Sequence, residues 1–281
     1  MITNIKSENH RNILDNPRYK DDASVTEARR LFDAFVPSAI DKVLKDGDYH
    51  AFVNAIRPYD EFLWTKSKES DGPEHPIAYK KWKIYPSWSE LLWAIVYARV
   101  GKQVSSMDLE LIRTSKVLEG ADNRGNNFYK DVDGGLALAG VINDQNVLIP
   151  VVVMEHKGGH FCKTACTGVN AIGRRFHDTN KNIITVQITE NNISVGKSQS
   201  DELINEIDIF IVDRGRNQFN IDMYAPRNAA EMLKHEKHLI QLLNGANRQH
   251  FTNIRYAHAS DQTLREQLSH SNYLAKDKHF T

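Results

Sequence analysis

Cysteine is scarce in this chain: Cys162 and Cys166 are the only two in 281 residues. With His156 and His160 they would offer four zinc donors within one short stretch. Structural zinc usually draws paired ligands from two separate segments, so the plainer reading is two reduced thiols on or near a helix in a reducing cytoplasm. Net charge is also missing. Lys plus Arg and Asp plus Glu each total 36, which excludes a polybasic nucleic-acid coat but argues only mildly against a nucleic-acid partner, because a neutral enzyme can still segregate its charges. No apolar run reaches membrane-spanning length, and the polar start (Asn4, Lys6, Glu8, Asn9, His10, Arg11) is unlike a secretory signal. A soluble, cytoplasmic protein is expected. There is no internal repeat.

What the chain does have is length for one large α/β domain or two small ones. Residues 24–45 read as a capped amphipathic helix that Pro37 interrupts. From Arg57 to Pro86 the text is irregular and holds Tyr79-Lys80-Lys81-Trp82-Lys83, which reads as a solvated loop or arm. Residues 86–99 predict a buried helix with serine caps, apolar nearly all round. Glu90, placed in its first turn, either complements the helix dipole or adds an acid to an active site.

Strand-like text occupies Asn127 to Ala139, broken by Gly134 and Gly135. A turn follows at residues 143–146, and then the apolar run from Val147 to Met154 reads as a central strand buried on both faces. A helix is expected over 163–176, strands over 183–188 and 207–212, and a helix from Ala229 to Leu243. The tail from Asn253 is polar and weakly patterned. This order predicts an α/β fold, a sheet covered by helices.

The chemistry concentrates between Asp133 and Lys157. Asp133 precedes Gly134-Gly135, and the apolar strand ends in Glu155-His156-Lys157, where the chain has its single Asp/Glu-x-Lys triplet. Two carboxylates on adjacent strands supply hard oxygen ligands for a divalent cation and leave positions for water and phosphate. Lys157 lies two residues beyond Glu155, on the same face by strand periodicity, where an ammonium orients water and offsets phosphate charge. Each part has an ordinary alternative: a turn aspartate, a solvated strand end.

In these residues the chain resembles the PD-(D/E)xK nuclease superfamily, with Val132 where the motif often has proline. The surrounding text is similar to the EcoRI family of restriction endonucleases. Asp133-Gly134-Gly135-Leu136 matches its first metal-ligand segment, and Gly168-Val169-Asn170-Ala171-Ile172-Gly173-Arg174-Arg175 matches its recognition helix, with Val169 in place of a glycine and Gly173 in place of a glutamate. The similarity covers roughly residues 127–182.

That resemblance implies a central mixed five-stranded sheet flanked by helices, in a single domain over 1–281. Its catalytic core would span about 86–245, preceded by an N-terminal helical or arm region over about 1–85. It further implies Mg2+ held by Asp133, Glu155 and the backbone carbonyl of His156, with Asp133, Glu155 and Lys157 as the catalytic set. Double-stranded DNA would be the substrate and a homodimer the working form. Asn170, Ala171, Arg174, Arg175 and Lys181 are the candidate DNA contacts, Asn and Arg being the side chains that read adenine and guanine bidentately. Asp213-Arg214-Gly215-Arg216-Asn217, after a strand, offers Arg214 and Arg216 as further contacts, and equally reads as a turn. The expected activity is a type II restriction endonuclease. Its rivals are a structure-selective repair or recombination nuclease of the same fold and a non-catalytic DNA-binding module.

Overall fold

The structure, a computed structural model, describes residues 8–69, 77, 84–104, 107–121, 127–142, 145–157, 183–189, 209–212, 229–245 and 274–275. Three N-terminal helices come first: α1 (Glu8–Leu14), α2 (Ala23–Asp46) and α3 (Tyr49–Glu69), with a 3-10 turn at Pro17–Tyr19. Asp22 caps α2, accepting from the Val25 amide at 2.9 Å, and Gly47 ends it in the left-handed conformation at φ 74°. Pro37 lies inside α2 without interrupting it, contrary to the expectation. Proline forfeits one helical hydrogen bond, but Leu31, Phe32, Val36, Ala39, Ile40 and Val43 are buried on either side of it and hold the helix against its neighbours.

α3 replaces the first part of the expected irregular segment. Tyr49, Phe52, Val53, Ile56, Tyr59 and Leu63 are buried at helical spacing, and the helix carries Pro58 inside it. Tyr79-Lys80-Lys81-Trp82-Lys83 lies outside the described residues.

α4 (Ile84–Gln103) is apolar nearly all round because it has neighbours nearly all round. It packs against α1, α2 and α3 and against the sheet, and α5 (Ala229–Gly245) also lies against it. One hydrophobic core therefore runs from the N-terminal helices through α4 into the sheet. No helix among the described residues is long and apolar enough to cross a membrane.

The sheet contains β1 (Leu109–Ala121), β2 (Asn127–Ile142), β3 (Gln145–Lys157), β4 (Ile184–Thr189) and β5 (Ile209–Val212) in that spatial order. The first three strands pair antiparallel, and β3, β4 and β5 pair parallel. A two-residue β6 (Leu274–Ala275) pairs antiparallel with the start of β3, inside the tail that reads as unpatterned. The α/β class and the mixed sheet flanked by helices hold, with six strands rather than five among the described residues.

β1 has no counterpart in the sequence reading. Leu109, Leu111 and Ile112 are buried at its start, but Arg113-Thr114-Ser115-Lys116 dilutes the apolar pattern behind them. The expected helix over 163–176 lies outside the described residues.

The helices enclose polar groups that are satisfied by one another. His10 sits between the Ser87 hydroxyl and the Tyr59 hydroxyl, both at 2.6 Å. Ser87 donates its one hydroxyl proton to the Ile84 carbonyl at 2.9 Å. It must therefore accept from His10 Nδ1–H, which leaves His10 Nε2 to accept from Tyr59. Trp88 Nε1 donates to buried Asp60 at 2.8 Å. Further along α4, buried Glu236 on α5 accepts from Tyr49, Gln103 and, at 3.4 Å, Arg99.

Candidate active site

The β2–β3 hairpin brings Asp133 and Glu155 together. Its register pairs Gly134 with Met154 and Gly135 with Val153, so the next positions outward are Asp133 and Glu155. A hydrogen bond fixes the relation: the His156 backbone N–H donates to Asp133 Oδ2 at 2.7 Å. An amide donating to a carboxylate stabilises its charged form and holds the group in place. Both acids are half-buried, so each stays within reach of solvent while its backbone is held in the sheet.

The Asp-Gly-Gly text has a backbone cause. β2 does not break at the glycines; it runs through them. Gly135 has φ 140°, and a Cβ there would sit 2.0 Å from the Val152 carbonyl oxygen. Gly134 is also tight, since a Cβ would come within 3.0 Å of the Met154 side chain. A register shift follows between Leu136 and Ala137. Glycine is therefore what allows β2 to press onto β3 just where Asp133 must reach the His156 amide.

β3 continues to Lys157, which pairs with Thr189 on β4. Lys157 thus occupies the last strand position, two beyond Glu155. His156, between them, is buried.

Glu90 is half-buried in α4. Because the helix begins at Ile84 rather than at the serines, Glu90 stands in the second turn, and no acid occupies the first. A dipole role fades beyond the first turn. Among the described residues no three or more His, Cys, Asp or Glu side chains gather as a metal cage. Asn170, Ala171, Arg174, Arg175, Lys181, Arg214 and Arg216 lie outside the described residues, as do His160, Cys162 and Cys166.

One residue of this neighbourhood escaped the sequence reading. Gln187 on β4 is the register partner of Glu155 and is completely buried. Its Nε2 donates to the Ile188 carbonyl at 3.2 Å, while its Oε1 is buried with no hydrogen-bond partner among the described residues. Reversing the amide would set oxygen against oxygen at Ile188, so the orientation stands. An orphan buried acceptor costs about 1–3 kcal/mol. In the sequence Gln187 is simply the polar interruption of an apolar strand, and its position beside Glu155 exists only through the parallel pairing.

The donor set can be weighed against a metal. Among the described residues the donors brought together here are two carboxylates, the chemistry of a hard cation, and Mg2+ in particular binds through one or two carboxylates while keeping several waters. The residues present therefore fit Mg2+.

No family model and no curated protein matches the chain. A solved structure described as the native BbvCI A2B2 tetramer at low resolution is similar to it, at 16% sequence identity and a TM-score of 0.47, covering 85% of this chain and 95% of that one. At that identity and score the likeness carries no weight in assigning a function.

Proposed function

We propose that this protein is a type II restriction endonuclease that hydrolyses phosphodiester bonds in both strands of double-stranded DNA, with Mg2+ as cofactor. The observation that carries the reading is the 2.7 Å bond from the His156 amide to Asp133. It ties the first acid of the Asp-Gly-Gly segment to the strand that bears Glu155 and Lys157, the juxtaposition that the PD-(D/E)xK resemblance calls for.

In this reading Asp133 and Glu155 hold the cation, joined by the His156 carbonyl. When bound, Mg2+ supplies Lewis acidity at the scissile phosphate and lowers the pKa of an attacking water. The chain's own residues do the rest. The His156 N–H holds the Asp133 carboxylate in place. Glu155, at the end of a strand whose inner half is buried, presents the site's second carboxylate without a rotating backbone beneath it. Lys157 orients the attacking water and offsets charge developing on the phosphate. Asn170, Ala171, Arg174, Arg175, Lys181, Arg214 and Arg216 are proposed to contact DNA, with asparagine and arginine reading base edges and lysine setting position on the phosphates. The EcoRI-like kinship, the single-domain organisation and a homodimer matching the two-fold symmetry of a palindromic site belong to the same proposal.

The test is a digest of plasmid DNA with Mg2+ followed by end-sequencing of the products. Discrete fragments sharing one terminal sequence are expected, and replacement of either Glu155 or Lys157 by alanine lowers the rate by about 10²–10³-fold. Undiminished cutting by Glu155→Ala and Lys157→Ala would sink the mechanism. Fragments whose ends track junctions rather than one sequence would reassign the protein to structure-selective cleavage.

A further inference from the structure

Across the sheet, register places Asp133, Glu155 and Gln187 at successive positions of one row on β2, β3 and β4. In-register neighbours on adjacent strands share a face, and adjacent strands lie about 4.8 Å apart. The row thus passes from two half-buried carboxylates to a carboxamide with no exposure. The carboxamide's nitrogen is spent on the Ile188 carbonyl, and its oxygen has no partner among the described residues. A buried acceptor with no donor among the described residues, on a row that carries two carboxylates, calls for a small donor, and a water molecule is the smallest that serves.

We infer that Gln187 is a positioning residue, whose Oε1 accepts a hydrogen bond from a water of the divalent cation held by Asp133 and Glu155. This rests on the metal-site proposal and extends it to a residue on a third strand. Metal-bound water is a stronger donor than free water, because the cation draws electron density from its oxygen. Partners of this kind fix the orientation of what the metal holds, and their loss typically lowers metal affinity 10–100-fold. Gln187 makes no bond to the cation in this scheme, so it belongs to β4 as the support for a site built on β2 and β3.

The experiment uses the full chain without DNA and Mn2+ alone as the probe, read by electron paramagnetic resonance titration and by the thermal shift that the metal produces. Wild type is expected to bind Mn2+, Glu155→Ala to bind it far more weakly, and Gln187→Met to bind it about 10-fold more weakly while its melting temperature without metal is equal to wild type or higher. Methionine keeps the volume and removes the orphan acceptor, so a purely structural glutamine would show the stability result with metal affinity unchanged, which would overturn the inference. Gln187→Glu gives a second reading should the methionine variant fold poorly. With an acceptor oxygen retained next to Glu155, its melting temperature is expected to fall without metal and to rise on adding Mn2+ by more than that of wild type. An equal loss with and without metal would count against the role. If Mn2+ binds to neither wild type nor Glu155→Ala, the metal site itself fails. If wild type binds and Glu155→Ala does not, while Gln187→Met matches wild type, only the inference about Gln187 fails.

Discussion

The helical wall and the sheet row handle buried polarity in opposite ways. Around α4, His10, Tyr59 and Ser87 complete one another's hydrogen bonds, Trp88 meets Asp60, and Glu236 gathers Tyr49, Arg99 and Gln103. In the row on β2, β3 and β4, two acids stand half-exposed and the Gln187 side-chain carbonyl has no partner among the described residues. A closed network fixes the packing of helices, whereas an unmet acceptor such as Gln187 Oε1 leaves hydrogen-bonding capacity for something that arrives. Under the proposed function, that difference separates residues that serve the fold from residues that serve chemistry, although both sets are polar and both are buried or half-buried.

Four perturbations probe that division. The largest effect is expected at the glycine on which the row depends. Gly135→Ala sets a side chain against the Val152 carbonyl at a positive φ. It should cost about 2–6 kcal/mol from strain and overlap together, seen in chemical denaturation, and should abolish cleavage as well, because the hairpin carries the site. A smaller loss is expected in the wall: Glu236→Ala leaves half-buried Arg99 without its carboxylate and should destabilise by about 3–5 kcal/mol. Its cleavage should survive at temperatures where the variant stays folded. Loss of cleavage in fully folded Glu236→Ala protein would erase the distinction.

Acid sharpens the contrast further. Burial holds His10 and His235 down at about 3 from an ordinary 6.5, so the unfolded chain takes up both protons before the folded one does. Their stabilising contribution is complete above pH 6.5 and declines as pH falls from there toward 3, by up to about 1.4 kcal/mol per pH unit for each histidine. Denaturation curves between pH 6.5 and 5, above the ordinary carboxylate range, should show this slope, and His10→Asn should remove about half of it. The smallest effect is at the edge of the wall, where Asp22→Ala removes the α2 cap and should cost about 1 kcal/mol with no change in cleavage.

Legibility in the sequence follows the range of the interactions. The hairpin was readable because its parts lie within 25 residues of one another: an acid before two glycines, a turn, and an apolar run ending in Glu155-His156-Lys157. α4 and α5 were readable from their apolar patterns. α3 carries an equally good signal in Tyr49, Phe52, Val53, Ile56, Tyr59 and Leu63, but Pro58 and the charges around it read locally as a loop. Pro37 misled in the same way, since tertiary burial outweighs one lost helical bond. β1 was hidden by its polar middle, and β6 by its brevity. His10 and Gln187 could not be interpreted from sequence at all. His10 finds Tyr59 and Ser87 across 49 and 77 residues, and Gln187 matters because parallel pairing sets it beside Glu155.

The central claim is that the row at Asp133 serves chemistry rather than the fold, and Asp133→Asn tests it most directly. The amide oxygen of asparagine still accepts from the His156 N–H, so the hairpin bond persists while the charge is lost. Magnesium-dependent plasmid cleavage and thermal unfolding are measured side by side on that variant and wild type. Unfolding at a temperature within a few degrees of wild type, with cleavage reduced to background, is the predicted result. Cleavage at the wild-type rate, or an unfolding loss as large as that of Glu236→Ala, would contradict it.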